Sequence, residues 1–91
     1  MQTHKDLKVW QKSIDLVTDI YAITNRFPKE EMHGLTSQIR RAAVSISSNI
    51  AEGSGRFSDK ELVRFLFISL GSSSELETQL IIYRRFKIYQ Y

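Results

Sequence analysis

The sequence lacks several features that stabilise or localise small proteins. It has no cysteine, so a disulfide, a thiolate metal ligand and a cysteine nucleophile are all excluded. No uninterrupted apolar run exceeds four residues, whereas a membrane-spanning helix needs about 20. The opening residues MQTHKDLK are polar and contain no apolar segment of the kind found in signal peptides. We therefore expect a cytoplasmic protein without a membrane span, and the absence of cysteine fits a reducing compartment.

Histidine is also scarce, and the chain is short. His4 and His33 are too far apart in sequence to suggest a ligand pair on one helix, so we do not expect a metal to hold the fold together. The 91 residues have room for one domain, which we place over residues 1–91. A domain of this size buries only about 60–65% of the surface that its unfolded chain exposes. Association with other copies is therefore expected to supply part of its stability.

Apolar residues recur at helical spacing in three segments. The first runs from Asp6 to Phe27 and ends before Pro28, which disfavours helical geometry in the residue that precedes it. The second runs from about Leu35 to Glu52, and the third starts at Asp59 and extends to about Tyr83 or beyond. The sequence therefore predicts an all-α fold, an antiparallel helical bundle of three long helices joined by short turns.

Each predicted helix carries more apolar surface than one neighbour can cover. In the first helix the apolar arc spans about half the circumference. It consists of a stripe, Leu7, Trp10, Ile14, Val17 and Tyr21, and a second set, Val9, Leu16, Ile20 and Ile23. The third helix is apolar on nearly every side from Val63 to Leu70, and the back of the second carries small residues such as Val44 and Ser48. We expect other copies of the chain to cover these surfaces.

Two glycines and one serine carry specific predictions. Gly53 follows the second helix, where a left-handed residue commonly ends a helix, so we expect that conformation there. Gly71 lies within the third helix at a cost of about 1 kcal/mol relative to alanine, and we expect tight packing of another backbone to explain it. Ser58 followed by Glu61 predicts a capping box at the start of the third helix.

Three long segments together resemble one family of bacterial proteins. They are LKVWQKSIDLVTDIYAITNRFP at 7–28, GLTSQIRRAAVSISSNIAEGSGR at 34–56 and RFLFISLGSSSELETQL at 64–80. They are similar to the four-helix-bundle proteins encoded by intervening sequences within bacterial 23S ribosomal RNA genes, and the similarity spans nearly the whole chain. Family members usually continue into a fourth helix, whereas this sequence stops at Tyr91 after the stretch YRRFKIYQY.

The resemblance also implies a mode of assembly and a class of partner. The fold is similar to the accessory variability determinant of diversity-generating retroelements, a basic barrel of bundle protomers that contacts a reverse transcriptase and nucleic acid. It implies a homo-oligomer, with a pentameric ring favoured, and RNA, DNA or a protein as further partner. From the residues themselves we expect no cofactor and no small-molecule substrate.

Residues that could carry catalysis do not combine into a site. Asp15 and Asp19 lie four apart on the first helix, but Lys12 shares their polar face, so we expect a solvated surface of mixed charge. The segment Gly53-Ser54-Gly55-Arg56 lacks the preceding strand and the Gly-Lys-Ser/Thr ending of a phosphate loop. Nothing indicates a base poised beside any of the serines. We therefore predict that the protein is not an enzyme and has no metal site.

Two groups of basic residues are candidates for contact with nucleic acid, although a net charge of +3 is too small to require such a partner. The first group, expected around or near the turn between the second and third helices, is Arg40, Arg56, Lys60 and Arg64. The second group interleaves cations with rings suited to stacking on bases, in the stretch Tyr83, Arg84, Arg85, Phe86, Lys87 and Tyr89. The alternatives are scattered solubilising charge for the first group and an uncovered helix end for the second.

A set of polar residues is predicted to connect the second and third helices. Its members are Arg41, Asn49, Glu52, Glu75 and Gln79, with Ser45 and Ser72 along the same edges. A buried pair such as Arg41 with Glu75 would fix helix register more than it would add stability. The alternative is a ligand pocket.

Taken with the family resemblance, these residues predict a non-catalytic nucleic-acid-binding or ribonucleoprotein accessory module. The alternative is a structural oligomeric scaffold that acts through protein contacts alone.

Overall fold

A computed structural model describes residues 3–88 of the chain, with side chains through residue 86. It contains three α-helices, which we call α1 (Lys8–Thr24), α2 (Leu35–Ser54) and α3 (Asp59–Ile88). Short 3-10 helices over His4–Asp6 and Lys29–Glu31 precede α1 and α2. Residues 3–88 include no strand. The prediction of an all-α helical bundle is confirmed, and each helix boundary lies within three residues of its predicted position, apart from the open C-terminal end of α3.

The helix α1 starts two residues later than predicted because a separate capped turn precedes it. Thr3 caps the first 3-10 turn: its Oγ1 accepts a hydrogen bond from the Lys5 backbone N–H at 3.2 Å, and its own N–H donates to Asp6 Oδ2 at 3.0 Å. Leu7 is then extended, and α1 begins at Lys8. The helix ends at Thr24, four residues before Pro28.

The central element of the bundle is α2. Both α1 and α3 pack against it, whereas no Cα atom of α1 lies within 8 Å of one in α3. The inward face of α2 supplies most of the core, namely Ile39, Ala42, Ala43, Ile46 and Ile50. Ile20 of α1 and Leu76 of α3 complete it. The two outer helices are thus positioned by α2 and leave an open cleft between them.

Specific side-chain contacts show that neighbouring helices run antiparallel. Between α1 and α2, Ser47 Oγ donates to Ser13 Oγ at 2.9 Å, and Arg40 contacts Thr24 further along. Between α2 and α3, Ser69 Oγ donates to the carbonyl of Ile46 at 2.9 Å, and Ser72 Oγ lies 2.9 Å from Ser45 Oγ. Residues later in one helix contact residues earlier in the next, which is the antiparallel arrangement expected of helices joined by short turns.

The buried face of α1 lies between the two predicted apolar sets and takes only Ile20 from them. Its buried residues are Ser13, Ile20 and Thr24, while Ile14 and Tyr21 of the predicted stripe are exposed. The reason is that α2 contacts α1 along the line between the two apolar sets. Serine and threonine occupy this line because the two backbones are close and their hydroxyls find acceptors there.

Both glycine predictions are wrong, because the close contact between α2 and α3 occurs at Gly53 and not at Gly71. Gly53 is a buried helical residue of α2, no glycine has a positive φ, and a Cβ added to Gly53 would lie 2.6 Å from the Cβ of Phe65. A Cβ added to Gly71 would meet nothing within 4 Å. The close approach of α2 and α3 therefore occurs at Gly53, because the rotation of α3 about its axis turns Gly71 outward. The left-handed residue of the α2–α3 turn is Phe57, with φ of 55°.

Candidate nucleic-acid interface

The candidate phosphate-contacting residues divide between the two ends of the bundle. Arg56, Lys60 and Arg64 lie at the turn between α2 and α3, as predicted. Arg40 lies sixteen residues before Arg56, which corresponds to about 24 Å along a helix, so its predicted place near that turn is corrected. Because α3 is antiparallel to α2, Arg84 at the end of α3 lies toward the same end of the molecule as Arg40. The first predicted group is therefore not one continuous surface within a protomer.

At the α2–α3 turn, neighbouring glutamates already pair with the arginines. Arg56 Nη2 lies 3.1 Å from Glu52 Oε1, and Arg64 Nε lies 2.9 Å from Glu61 Oε2. The hydrogen bond from Arg64 holds the pKa of Glu61 below its ordinary value, and the same bond raises the pKa of Arg64. Both guanidinium groups also lie over the ring of Phe65, at 5.3 and 4.5 Å from its centroid. Much of the charge of this cluster is therefore satisfied internally, with Lys60 exposed beside it.

Arg40 has a different environment, in which every partner is neutral. Its Nε donates to Thr24 Oγ1 at 2.8 Å, and its Nη2 donates to Asn25 Oδ1 at 3.0 Å. Its Nη1 approaches Met32 Sδ at 3.9 Å, and its guanidinium carbon lies 4.6 Å from the centroid of the Tyr21 ring. The two ion pairs found among residues 3–86 do not include Arg40. The guanidinium is held in position without an ion pair to any of the described side chains.

Thr24 is the residue that fixes Arg40. It is almost fully buried, and its hydroxyl donates to the carbonyl of Ile20 at 2.7 Å. That donation leaves an oxygen lone pair directed at Arg40 Nε. The contact joins the end of α1 to the start of α2, so it depends on how the connecting turn folds.

An open cleft of about 600 Å³ surrounds this arginine. We call it the Tyr21–Arg40 cleft, and its lining residues are Tyr21, Met32, His33, Ser37, Arg40, Arg41, Val44 and Ser45. Arg41 is exposed and belongs to neither ion pair of the described side chains. None of the lining residues is acidic. The cleft therefore combines two arginines, a histidine and an aromatic ring without a carboxylate among them.

Sequence reasoning missed most of this cleft. It selected Arg40 and Arg41 but not Tyr21, His33 or Thr24. The Tyr21–Arg40 contact joins residues nineteen positions apart on different helices, and no local pattern encodes such a contact. The available signal was the width of the apolar arc on α1, because an arc too wide for one neighbour leaves some of its residues exposed, and Tyr21 is one of them.

The second basic group lies at the end of α3. Arg84 and Arg85 are exposed on the last two turns, and Arg84 lines the cleft between α1 and α3 beside Leu80 and Ile81. Tyr83 stacks face to face on Phe27, with ring centroids 3.6 Å apart, so its ring packs within the bundle. The helix continues to Ile88. Tyr89 and the side chain of Lys87 lie outside the described part of the chain.

The predicted polar network forms around the serines rather than the charged residues. Ser45 Oγ and Ser72 Oγ lie 2.9 Å apart across the α2–α3 interface, and Asn49 Nδ2 donates to Ser45 Oγ at 3.0 Å. Arg41 and Glu75 are exposed and do not pair with each other, so the buried pair offered as an example is corrected.

Two other predicted members of the network also lie outside it. Glu52 pairs with Arg56 on its own helix. Gln79 is buried, but its Oε1 makes no hydrogen bond to the described residues. The physical reason is the narrow separation of α2 and α3, which admits serine at the contact line and turns long charged side chains to its edges.

The described residues contain neither a metal-binding cluster nor a membrane-spanning helix. No group of three or more histidine, cysteine or acidic side chains is arranged to hold a metal ion in that part of the chain. None of its helices combines the length and apolar character that crossing a membrane requires.

A comparison with protein families finds a match over nearly the whole chain. The family model described as 23S rRNA-intervening sequence protein matches residues 5–90. The chain belongs to this family. The resemblance noted in the sequence is thereby confirmed, and as a member of the 23S rRNA-intervening sequence protein family the chain shows the helical bundle expected from that resemblance. No curated protein matches it.

Proposed function

We propose that this 23S rRNA-intervening sequence protein is a non-catalytic cytoplasmic module that binds structured RNA or DNA through phosphate contacts, with little base specificity. The observation that carries the proposal is the environment of Arg40. Its guanidinium is oriented by Thr24 and Asn25, lies in an open cleft and has no carboxylate partner among residues 3–86. A fixed arginine without an acidic partner is well suited to phosphate oxygens, because Nη1 and Nη2 each carry a second N–H group that Met32 and Asn25 do not use.

Other basic residues can extend the contact without forming the same kind of site. Arg41 lines the same cleft, and Arg84 and Arg85 lie toward the same end of the bundle. Arg56 and Arg64 are weaker candidates, because a phosphate would have to compete with Glu52 and Glu61. Phosphate contacts give affinity without sequence information, which supports low base specificity.

Filter binding tests this function. We expect the protein to retain fragments of 23S ribosomal RNA on the filter at low salt. The logarithm of the binding constant should then fall linearly with the logarithm of the salt concentration, because bound counterions are released. The Arg40→Gln variant should bind more weakly, whereas Arg56→Gln should bind nearly as the parent does. Absence of retention, or retention that does not change with salt, would contradict phosphate contact.

A second candidate function is a homo-oligomeric scaffold, and exposed apolar residues on two sides of the protomer favour it. Phe67 and Leu70 on α3 are 68% and 61% exposed. Val9 and Ile23 on α1 are 53% and 50% exposed, and neither lines the Tyr21–Arg40 cleft. Two different uncovered faces fit head-to-tail contacts that close into a ring, whereas a two-fold dimer uses one face twice. We therefore keep a closed ring, with five protomers favoured by the family resemblance, as the proposed assembly for either function.

Light scattering after size exclusion tests the assembly. We expect a single species larger than a dimer at micromolar concentration. A monodisperse monomer would contradict self-association, and a stable dimer would contradict the ring.

A further inference from the structure

Resting on the proposed function, we propose that the Tyr21–Arg40 cleft holds one unpaired nucleotide of an RNA or DNA strand. The base stacks on the Tyr21–Arg40 pair, and the adjoining phosphate contacts Arg41 and the remaining N–H groups of Arg40. The proposal deepens the phosphate-binding function by naming the class of nucleic acid, namely single-stranded segments such as loops and bulges.

The Tyr21–Arg40 pair provides a flat surface for a base. The guanidinium carbon lies 4.6 Å from the centroid of the ring, and both side chains line the cleft. Tyr21 is 41% exposed, so part of its ring is accessible in the protomer. Bases that have left a stack are commonly held against aromatic rings or arginine planes. Here the guanidinium of Arg40 lies over the ring of Tyr21, so the two form one layered surface on which a base can stack.

The hydrogen bonds of Arg40 keep this surface in place before a ligand arrives. Nε is bound by Thr24 and Nη2 by Asn25, so the plane of the guanidinium is fixed from the α1 side. An arginine that is already oriented loses less side-chain entropy when a base stacks on it. A free surface arginine would have to lose that entropy on binding.

The dimensions and chemistry of the cleft suit one nucleotide. Its volume of about 600 Å³ falls within the range of about 300–1,000 Å³ that is typical of small-molecule sites. Ser37 and His33 add polar groups to the lining, and Arg41 is available for a phosphate. The lining contains no carboxylate that would repel it.

The other arginine–aromatic cluster of the protein lacks these properties. Phe65 lies beneath Arg56 and Arg64 but is only 8% exposed, so its ring cannot receive a base. Both of its arginines are paired with glutamates. Substitutions in the Phe65 cluster therefore serve as a control, because they alter an arginine–aromatic contact that is not accessible to a base.

A duplex cannot use the stacking surface in the same way. Its bases are paired and stacked on one another, so their faces are not available to a side chain in a cleft. The protein should therefore bind a single strand more tightly than a duplex of the same sequence. The preference should not depend strongly on base identity, because every base has a π-face.

Fluorescence anisotropy with four probes tests the proposal. The probes are an oligouridylate and an oligothymidylate of about 12 nucleotides, an abasic strand with the same number of phosphates, and a DNA duplex of that length. We expect the two base-bearing strands to bind roughly tenfold more tightly than the abasic strand, which is the effect of stacking one base. The RNA and DNA probes together show whether the sugar matters.

Substitutions then locate the effect. Tyr21→Leu keeps apolar bulk but removes the ring, so it should abolish the preference for base-bearing strands and leave abasic binding unchanged. Arg40→Lys keeps the charge but removes the plane, and it should reduce the preference in the same way. Arg56→Gln is the matched control, and it should change neither the preference for base-bearing strands nor the binding of the abasic strand. Circular dichroism melting checks that each variant is folded.

The outcomes separate this inference from the proposed function. Equal binding of abasic and base-bearing strands, or a Tyr21→Leu variant that keeps the preference, would overturn the nucleotide site while leaving phosphate binding intact. Failure of all four probes to bind would instead contradict the proposed function.

Discussion

Gly53 on α2 faces Phe65 on α3 at a distance that leaves no room for a Cβ on the glycine. An added Cβ would lie 2.6 Å from the Cβ of Phe65 and 3.4 Å from the Cα of Leu62. Neither neighbouring atom belongs to the flexible end of a side chain. Gly53→Ala should therefore force the two helices apart and lower the free energy of unfolding by about 1–3 kcal/mol. Urea denaturation measures the change, and an unaltered midpoint would show that α2 and α3 are packed less closely.

Gly71→Ala is the opposite case and the matched control. The position lies within α3, is exposed and has no atom within 4 Å of an added Cβ. Alanine should raise the free energy of unfolding by about 0.5–1 kcal/mol through its higher helix propensity. The same urea titration checks it. A loss of stability at oligomer-forming concentrations would mean that another copy packs against Gly71.

Phe57 adopts a conformation that its side chain does not favour. Its φ is 55°, and the residue is 83% exposed, so the ring adds little packing in the protomer. Phe57→Gly removes the Cβ that is disfavoured in the left-handed region, and we expect a gain of about 0.5–1 kcal/mol. Phe57→Ala removes the ring but keeps the Cβ, so it should give no such gain. A lower melting temperature for the glycine variant would indicate that the ring is buried in the assembly.

The Glu61–Arg64 pair makes a prediction about pH. The hydrogen bond from Arg64, assisted by the charges of Arg64 and Arg56, lowers the pKa of Glu61 against a smaller opposing effect of desolvation. Its titration midpoint, followed by NMR, should lie below the ordinary value of 4.5, and Arg64→Gln should return it toward that value. The pair stabilises the fold above about pH 4.5 and ceases to do so as the pH falls through the lowered pKa. The contribution is small because both groups are solvent-exposed.

The sequence predicted the helices well and the contacts between them poorly. Helix boundaries depend on local signals such as Pro28 and the Ser58 cap, whose Oγ accepts a hydrogen bond from the Glu61 N–H at 3.4 Å. The roles of Gly53 and Gly71 depend instead on the rotation of α3 about its axis, which apolar spacing leaves undetermined because α3 is apolar on most sides. The spacing of apolar residues therefore does not determine which face of α3 packs against α2.

The candidate site shows the same division. Basic residues are visible in the sequence, but their availability depends on whether a carboxylate lies one helical turn away. Glu52 and Glu61 do so for Arg56 and Arg64, and this spacing could have been read as i,i+4 and i,i+3 pairing. The contact of Arg40 with Tyr21 and Thr24 could not have been predicted from sequence spacing, because it forms only when the α1–α2 turn brings the two helices together.

The salt dependence of nucleic-acid binding by Arg40→Gln tests the central claim most directly. We expect the slope of log K against log salt concentration for a 23S ribosomal RNA fragment to decrease by about 1 relative to the parent, because one phosphate contact is lost. The Arg56→Gln variant, in which the removed arginine was paired with Glu52, should keep the parental slope. An Arg40→Gln slope equal to that of the parent, or a larger loss in Arg56→Gln, would contradict the assignment of phosphate contact to the Tyr21–Arg40 cleft.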